Sequence, residues 1–291
     1  MDYSPYMGGP GGEPRLHCAS VIQYPEIDPV AFGIGPLQVR WYGLMYLAGF
    51  VLGWLGARIR ARRPDSPIPP ARVDDLVFYV ALGVIIGGRV GYMLFYSFPS
   101  LLENPLNLFK VWEGGMSFHG GLLGVLIAMG VLARKVRQPY FAVTDFIAPW
   151  VTPGLGLGRI GNFINGELWG AQTTPDAFWA VWVDGVPRHA TQLYEAFLEG
   201  LVLFLILWGF SKRPRPIMAV SGLFLIFYGV FRVAIEFVRL PDQHMNVAAD
   251  GYLAFGWLTM GQVLSAPMIV AGVMLLALAY RVNAYVERTV E

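Results

Sequence analysis

The feature that most constrains this chain is a series of apolar stretches long enough to cross a bilayer. A hydrocarbon core of about 30 Å takes roughly 20 apolar residues of α-helix. Seven stretches qualify, some imperfectly: 42–57, 76–95, 118–133, 143–160, 193–210, 220–238 and 262–279. Composition agrees, with 55% hydrophobic and only 14% charged residues. A water-soluble domain carries about 25% charged residues, so a disordered chain, a collagen-like fibre and most soluble enzymes are excluded. The expected fold is an all-α, polytopic transmembrane helix bundle of about seven spans. Glycines recur inside the spans, as at Gly83, Gly87, Gly88 and Gly91. Small residues let membrane helices approach closely. The fourth stretch contains Pro149 and Pro153 together with Gly154, Gly156 and Gly158. It is expected to be broken or re-entrant, which a membrane tolerates only where protein or water satisfies the freed backbone.

Charge placement sets the orientation. Arg58, Arg60, Arg62, Arg63 and Arg72 follow the first span. Arg134, Lys135, Arg137, Lys212, Arg213, Arg215, Arg281 and Arg288 fall on that same side, and only Arg15, Arg40, Lys110 and Arg188 on the other. Thirteen positives against four place the N-terminus outside and the C-terminus in the cytoplasm. Residues 1–20, polar and rich in Gly and Pro, read as a disordered extension or an expression remnant without the pattern of a signal peptide. Residues 21–291 then form a single transmembrane domain with an external loop around 168–190. The lone cysteine, Cys18, excludes an internal disulfide and reads as an unremarked free thiol. With 21 Lys+Arg against 20 Asp+Glu there is no basic domain, and no nucleic-acid partner is expected.

Ionisable groups inside spans cost on the order of 2.5–3.5 kcal/mol each on insertion scales, so their positions are informative. In the topology above, Arg89, Arg159, Arg232 and Arg239 all fall in the outer half of the membrane. Tyr42 and His119 open spans at the same depth, and Asn162, Asn165 and Glu167 follow Arg159 directly. Arg232, Glu236 and Arg239 are spaced i, i+4, i+7, so they share one helix face and Glu236 can pair with either arginine. Four arginines against Glu236 and Glu167 leave an excess of two positive charges in this layer. Guanidinium forks suit a phosphate or carboxylate, and at that depth the expected anion is a phospholipid headgroup.

Structural roles are open for several of these groups. Arg232 and Glu236 can form a simple intramembrane ion pair, Arg89 can brace helices, and Arg239 is expected to snorkel to the interface. Glu195 and Glu199 are left to pairing within the bundle or to a cytosolic-side lining, with Glu199 read as structural. Asp145 reads as a helix cap or pairing group, and His189 and His244 as solvated. No HExxH, GxSxG or phosphate-binding loop is present, and the histidines are too scattered for a metal, so no cofactor is implied.

The run Gly158-Arg-Ile-Gly-Asn-Phe-Ile-Asn-Gly-Glu-Leu-Trp-Gly170 resembles the signature of the bacterial prolipoprotein diacylglyceryl transferase family. Further matches lie in Arg40-Trp-Tyr-Gly-Leu-Met-Tyr46, Gly87-Gly-Arg-Val-Gly-Tyr92 and Gly114-Gly-Met-Ser-Phe-His-Gly-Gly-Leu122. Two more are Pro187-Arg-His-Ala-Thr-Gln-Leu-Tyr-Glu195 and Gly229-Val-Phe-Arg-Val-Ala-Ile-Glu-Phe237, so the resemblance covers about residues 24 to 280. It implies a multi-pass enzyme of the bacterial inner membrane whose site faces the periplasmic leaflet. The implied reaction moves the diacylglyceryl group of phosphatidylglycerol to the lipobox cysteine in a preprolipoprotein signal peptide, releasing glycerol-1-phosphate. It also implies importance for Tyr42, His119, Arg159, Asn162, Gly170, Arg232 and Glu236.

Such chemistry needs a deprotonated thiol and a stabilised departing phosphate. Arg159 and Arg232 are assigned to the phosphate, Asn162 to glycerol or phosphate oxygens, Glu236 to orienting Arg232, and Glu167 to shaping the signature loop. Asn165, Gly170, Arg89 and Arg239 complete the substrate-binding candidates. His119 is the candidate base on depth and its ordinary pKa near 6.5. Tyr42 stands as an alternative proton carrier or headgroup contact. The competing reading is a transporter of organic anions or lipids that uses the same arginines; a third is a noncatalytic lipid-binding scaffold.

Overall fold

The computed structural model describes residues 22–35, 37–240 and 258–285; Cys18, His244 and the 1–20 segment lie outside them. Among the described residues six helical stretches are long and apolar enough to cross a membrane: Trp41–Ala61 (α1), Pro70–Phe95, Phe118–Lys135, Thr191–Ser211, Ala219–Glu236 and Met260–Val282. The second is a 3-10 turn, Pro70–Arg72, running into α2, Val73–Phe95. After it, α3 (Phe98–Glu103) and the 3-10 turns Pro105–Phe109 and Val111–Glu113 lead to α4, Phe118–Lys135. The membrane helix Thr191–Ser211 comprises α6 (Thr191–Glu195), a π-segment (Ala196–Val202) and α7 (Leu203–Ser211); α8 is Ala219–Glu236 and α9 is Met260–Val282. Their apolar faces point outward: Leu47, Val51, Leu55 and Ile59 form an exposed i, i+4 stripe along α1. A water-soluble helix would bury such a stripe, whereas lipid solvates it.

The expected break in the fourth stretch is absent. Helix α5 runs unbroken over Tyr140–Ile164 with Pro149 and Pro153 inside it. Pro153 has no N–H to give to the carbonyl of Pro149. The Thr152 hydroxyl donates to that carbonyl instead, at 3.0 Å. Helix α5 packs against α1, α4, α6, the π-segment, α7 and α8, and so forms the centre of the bundle. Protein surrounds it, which explains why it tolerates more Gly, Pro and polar groups than a lipid-facing helix.

Close approaches between backbones set the bundle. Helix α2 meets α4 where Gly91 and Gly120 face each other: a Cβ on Gly91 would lie 2.7 Å from the Gly120 Cα. Helices α8 and α9 meet at Gly222 and Gly272, where either added Cβ would strike the opposite carbonyl at 2.7–2.8 Å. Any side chain there would push the helices apart and forfeit the dispersion contacts that hold membrane helices together.

Helix ends explain several buried polar groups. Asp145 accepts from the amides of Met218 (2.8 Å) and Ser221 (2.7 Å) and from the Ser221 hydroxyl (2.5 Å). It caps the start of α8 from the neighbouring helix, as its cap-or-pair reading expected. Thr259 and Gln262 form a capping box at the start of α9.

Two small sheets join the helices. Strands β2 (Val30–Ile34) and β3 (Leu37–Arg40) form a hairpin that runs into α1. The other sheet has the order β1-β4-β5, with β1 at Ile22–Gln23. Strands β4 (Ala180–Val183) and β5 (Val186–His189) build a hairpin within the external loop. Its turn puts Asp184 at φ 51° and Gly185 at φ 76°, the left-handed pair that a two-residue hairpin needs. Just after β1, the Tyr24 hydroxyl donates to the carbonyls of Phe163 (2.9 Å) and Ile164 (3.0 Å), closing the C-terminal end of α5. The sheets therefore sit over the end of α5 that carries the signature. At the other end an apolar core of Ala57, Ile68, Leu76, Leu132, Val143 and Phe146 joins α1, α2, α4 and α5. That apolar core packs one end of the bundle; the signature and its polar neighbours lie at the other.

Candidate active site

The centre of the polar end is Glu195, the last residue of α6 and only 1% exposed. Its Oε2 lies 2.8 Å from Arg159 Nε, and its Oε1 lies 2.7 Å from Arg232 Nη1 and 2.9 Å from Arg239 Nη1. One carboxylate from α6 thus ties α5, the end of α8 and the segment after α8 together. Arg232 also pairs with Glu236 one turn on. Thr259 Oγ1 donates to Glu236 Oε2 at 2.7 Å, which couples the capping box of α9 to the cluster. Gly261 leaves the room: an added Cβ would lie 2.5 Å from the Glu236 carboxyl carbon.

Several sequence expectations change here. Glu236 serves Arg232, while Arg239 turns to Glu195. Arg239 does not snorkel; its side chain is 10% exposed and points into the cluster. Glu195, expected to pair within the bundle or to line the cytosolic side, instead connects all three arginines. Its signal was present at the level of topology, because the fifth span begins at the same depth as Arg159 ends the fourth. Glu199, one turn further and 1% exposed, lies within electrostatic reach of all three arginines and keeps one oxygen without a hydrogen bond. Two carboxylates, Glu195 and Glu236, therefore pair with three arginines, and the expected excess of two positive charges is reduced to one among these groups.

What stays open is one guanidinium. Arg159 is the most exposed of the three, at 25% of its side chain against 14% and 10%. Glu195 engages its Nε, and neither terminal nitrogen has a hydrogen-bond partner among the described residues. The α5 backbone aims it, Glu195 holds it, and its planar fork faces outward with donors to spare. Tyr42 lies beside it: the ring packs on Gly161, where an added Cβ would lie 2.8 Å from Cδ2. The Tyr42 hydroxyl is 3.2 Å from that of Tyr46 and interacts electrostatically with Arg159 and Glu167.

The signature loop closes over the end of α5. Asn162 and Asn165 both donate to Glu167 Oε1, at 2.8 and 3.1 Å. Gln192 Nε2 donates to the Glu167 carbonyl at 2.5 Å. Asn165 Oδ1 and Gln192 Oε1 remain buried without a donor, so the loop holds unfilled acceptor sites. Gly170 is a pinch point, because a Cβ there would lie 2.6 Å from both Thr191 Cγ2 and the Val238 carbonyl. Its amide donates to the His189 carbonyl at 2.9 Å, and it bridges to Arg239 across a short antiparallel contact. Gly170 thereby sets where Arg239 enters the cluster.

His189 differs from the solvated histidine expected. It is half-buried on β5, and its Nδ1 lies 3.2 Å from the Tyr194 hydroxyl. Burial lowers its pKa below the ordinary 6.5. Tyr24, outside the spans, is raised by burial and the nearby Glu26 charge.

Two candidates lie apart from the cluster's bonds. His119 is exposed on the first turn of α4; its contact is the Phe118 ring, and no hydrogen bond or ion pair ties it to the arginines among the described residues. Arg89 is 5% exposed and spends its fork on backbone carbonyls. It donates to Asn107 (2.5 Å), Leu108 (3.2 Å) and Gly115 (3.3 Å), and to Gly114. It holds the chain between α2 and α4 in place. Among the described residues no group of three or more His, Cys, Asp or Glu side chains is arranged for a metal.

These features define a polytopic helical integral-membrane protein whose polar end carries an open, carboxylate-held guanidinium at the end of its central helix. The comparisons with known proteins specify it further. Residues 29–278 match the prolipoprotein diacylglyceryl transferase family, and the chain belongs to that family. It is 59% identical over 264 residues to the phosphatidylglycerol–prolipoprotein diacylglyceryl transferase of Methylococcus capsulatus, covering 89% of this chain and 98% of that protein. Proteins of the same name from Oleidesulfovibrio alaskensis (56% identical, 90% and 96% covered) and Pseudomonas paraeruginosa (54%, 91% and 98%) are also similar.

Proposed function

We propose that this chain transfers the diacylglyceryl group of phosphatidylglycerol to the lipobox cysteine thiol of preprolipoproteins in the bacterial inner membrane, with its polar end toward the periplasmic leaflet. The relatives carry that activity in their names, and the open fork of Arg159 is the observation on this chain that carries the reading. In the reaction the cysteine sulfur attacks the glyceryl carbon that bears the phosphate. A C–S bond forms, the C–O bond to phosphate breaks with its electron pair, and glycerol-1-phosphate departs. The thiol proton is lost to a base or to the leaving group.

The roles follow from the geometry. Arg159 offers its terminal nitrogens to the phosphate as charge builds there; losing one such donor costs about 2.7–4 kcal/mol in comparable sites. Glu195 holds Arg159 in aim and leaves its outer donors free. Arg232, bound by Glu195 and Glu236, fixes the electrostatic background and offers its remaining capacity to the phosphate. The headgroup's glycerol hydroxyls match the unfilled acceptors Asn165 Oδ1 and Gln192 Oε1, while Asn162 holds the loop through Glu167. Tyr42 contacts the headgroup or carries a proton. His119, exposed at the start of α4, is the base in this proposal, acting on a thiol that arrives from the lipid side.

The test is a transfer assay with acyl-labelled phosphatidylglycerol and a lipobox peptide. Label on the cysteine peptide, none on its serine counterpart, and equimolar glycerol phosphate are expected. Arg159→Ala should lower kcat/KM by about a hundredfold or more. Full activity in Arg159→Ala, or normal turnover across pH in His119→Asn, refutes the corresponding role. No transfer by the folded, lipid-bound protein refutes the reading as a whole.

A further inference from the structure

At the end of the bundle away from Arg159 lies a small cleft of about 40 Å³ between α1, α5, α7 and α8. Asp145, in its wall, precedes Arg159 on α5 by 14 residues, a rise of about 21 Å along the helix. The two sites are therefore separated by most of the bilayer's thickness.

Four arginines line this cleft: Arg60, Arg63, Arg213 and Arg215. Its two carboxylates are already occupied. Asp65 is held by both Nε and Nη2 of Arg63, each at 3.1 Å. Asp145 accepts three hydrogen bonds from the start of α8. Arg63 spends its other donors on the carbonyls of Ser211 (2.7 Å) and Lys212 (3.0 Å).

The remaining three arginines have donors to spare. Arg60 is half-buried, touches only the Ser211 hydroxyl at 3.2 Å and the Phe146 ring, and has no carboxylate within ion-pair distance. Arg215 uses Nε on the Phe210 carbonyl at 2.8 Å and lies over the Phe210 ring, leaving both terminal nitrogens. Arg213 makes no hydrogen bond or ion pair among the described residues. Arg60 feels Asp145 and Asp65 only at longer range and pairs with neither, and three arginines with spare donors bordering one cleft can hold a phosphate by charge-assisted hydrogen bonds. Topogenic arginines need only lie on one side of the membrane; they need not line one cleft with donors unused.

We propose that this cleft binds a phosphate-bearing anion at the membrane face opposite the transfer site. The phosphate belongs either to an anionic lipid headgroup of that leaflet or to a free phosphate in the adjoining aqueous phase. Basic clefts between membrane helices take such headgroups by charge-assisted hydrogen bonds. Its occupant ties the ends of α1, α7 and α8 together, as Glu195 does at the opposite end. The proposal does not depend on the transfer reaction.

The experiment uses the full-length protein in detergent, two Arg→Gln pairs and two probes. The pairs are Arg60→Gln with Arg215→Gln, and Arg213→Gln with Arg215→Gln. The second pair spares the buried Arg60–Ser211 contact and should fold. The probes are dioleoyl phosphatidic acid, with retention read by native mass spectrometry, and inorganic phosphate, read as a rise in unfolding temperature over chloride at equal ionic strength. Both pairs should lose, by roughly tenfold or more in affinity, one bound phosphatidic acid that Arg159→Ala retains; this identifies a lipid headgroup in the cleft. A phosphate-induced rise in the native protein that both pairs lose, with lipid retention unaffected, identifies a free phosphate. If both pairs bind both probes as the native protein does, or if Arg159→Ala alone removes phosphatidic acid, the proposal is overturned.

Discussion

Replacing Glu195 by glutamine should be the most damaging isosteric change in this protein. The side chain keeps its shape but loses the charge that three arginines share at 2.7, 2.8 and 2.9 Å. At an effective dielectric of about 20, each contact is worth roughly 6 kcal/mol of gross Coulomb energy, most of it offset by desolvation. Arg159, 25% exposed, can turn to water. Arg232 and Arg239, at 14% and 10%, cannot. Removing one partner of a buried pair costs about 3–5 kcal/mol; Arg232 keeps Glu236, so the loss is expected within that range. It is a large share of the about 5–15 kcal/mol that ordinarily holds a protein folded.

Turnover should fall further than stability. An amide group beside Arg159 presents a donor to a donor, so the fork loses its aim; an error near 1 Å can cost about a hundredfold in rate. The assay is paired: thermal unfolding in detergent, and transfer of labelled diacylglyceryl to a lipobox peptide. Glu195→Asp should retain much of the unfolding temperature but lose most turnover, since a carboxylate one methylene shorter cannot reach all three arginines. A Glu195→Gln protein with unchanged unfolding temperature and kcat/KM within twofold of native would refute the idea that this carboxylate organises the site.

Other outcomes follow from the same contacts. Gly170→Ala should cost about 1–3 kcal/mol through overpacking and lose turnover disproportionately, because its methyl strikes the Val238 carbonyl and shifts Arg239; equal kcat and KM in both proteins would count against it. Arg89→Lys should lower the unfolding temperature by an amount equivalent to about 2 kcal/mol or more, since one ammonium cannot serve four carbonyls. Turnover of the folded Arg89→Lys fraction should stay near native; a selective loss of kcat/KM would bring Arg89 into substrate contact. His189 has a lowered pKa in the folded protein, so the unfolded chain takes up its proton first. Stability should be full above pH 6.5 and decline as pH falls from there through the lowered pKa. His189→Gln should flatten that part of the unfolding-temperature profile, and an unchanged slope would exclude His189 as its source.

Much of this protein was legible in its residues. Apolar stretches announced the membrane helices because lipid solvates side chains directly, so hydropathy survives without knowledge of packing. The i, i+4 spacing announced the Arg232–Glu236 pair, since both partners share one helix. The signature around Arg159 to Gly170 announced the family, and the turn of topology put Arg159, Arg232 and Tyr42 at one depth. Asp145 was recognisable as a cap or pairing group because a carboxylate inside a span must have a donor.

Tertiary structure decided the rest, wherever a group's partner came from another helix. Nothing in the sequence near Glu195 says that arginines from α5, from α8 and from beyond α8 converge on it. That convergence reduced the apparent charge excess and left Arg159 as the open donor. Arg239 turned inward because Gly170 and Glu195 receive it, although its place near a span end suggested snorkelling. Pro149 and Pro153 suggested a broken helix, yet one Thr152 hydroxyl and a full shell of neighbours kept α5 whole. Hydropathy and helical spacing are properties of a segment, and a sequence carries them in full. Charge pairing, helix continuity and the opening of a site are properties of what surrounds the segment, and only the packed bundle supplies that.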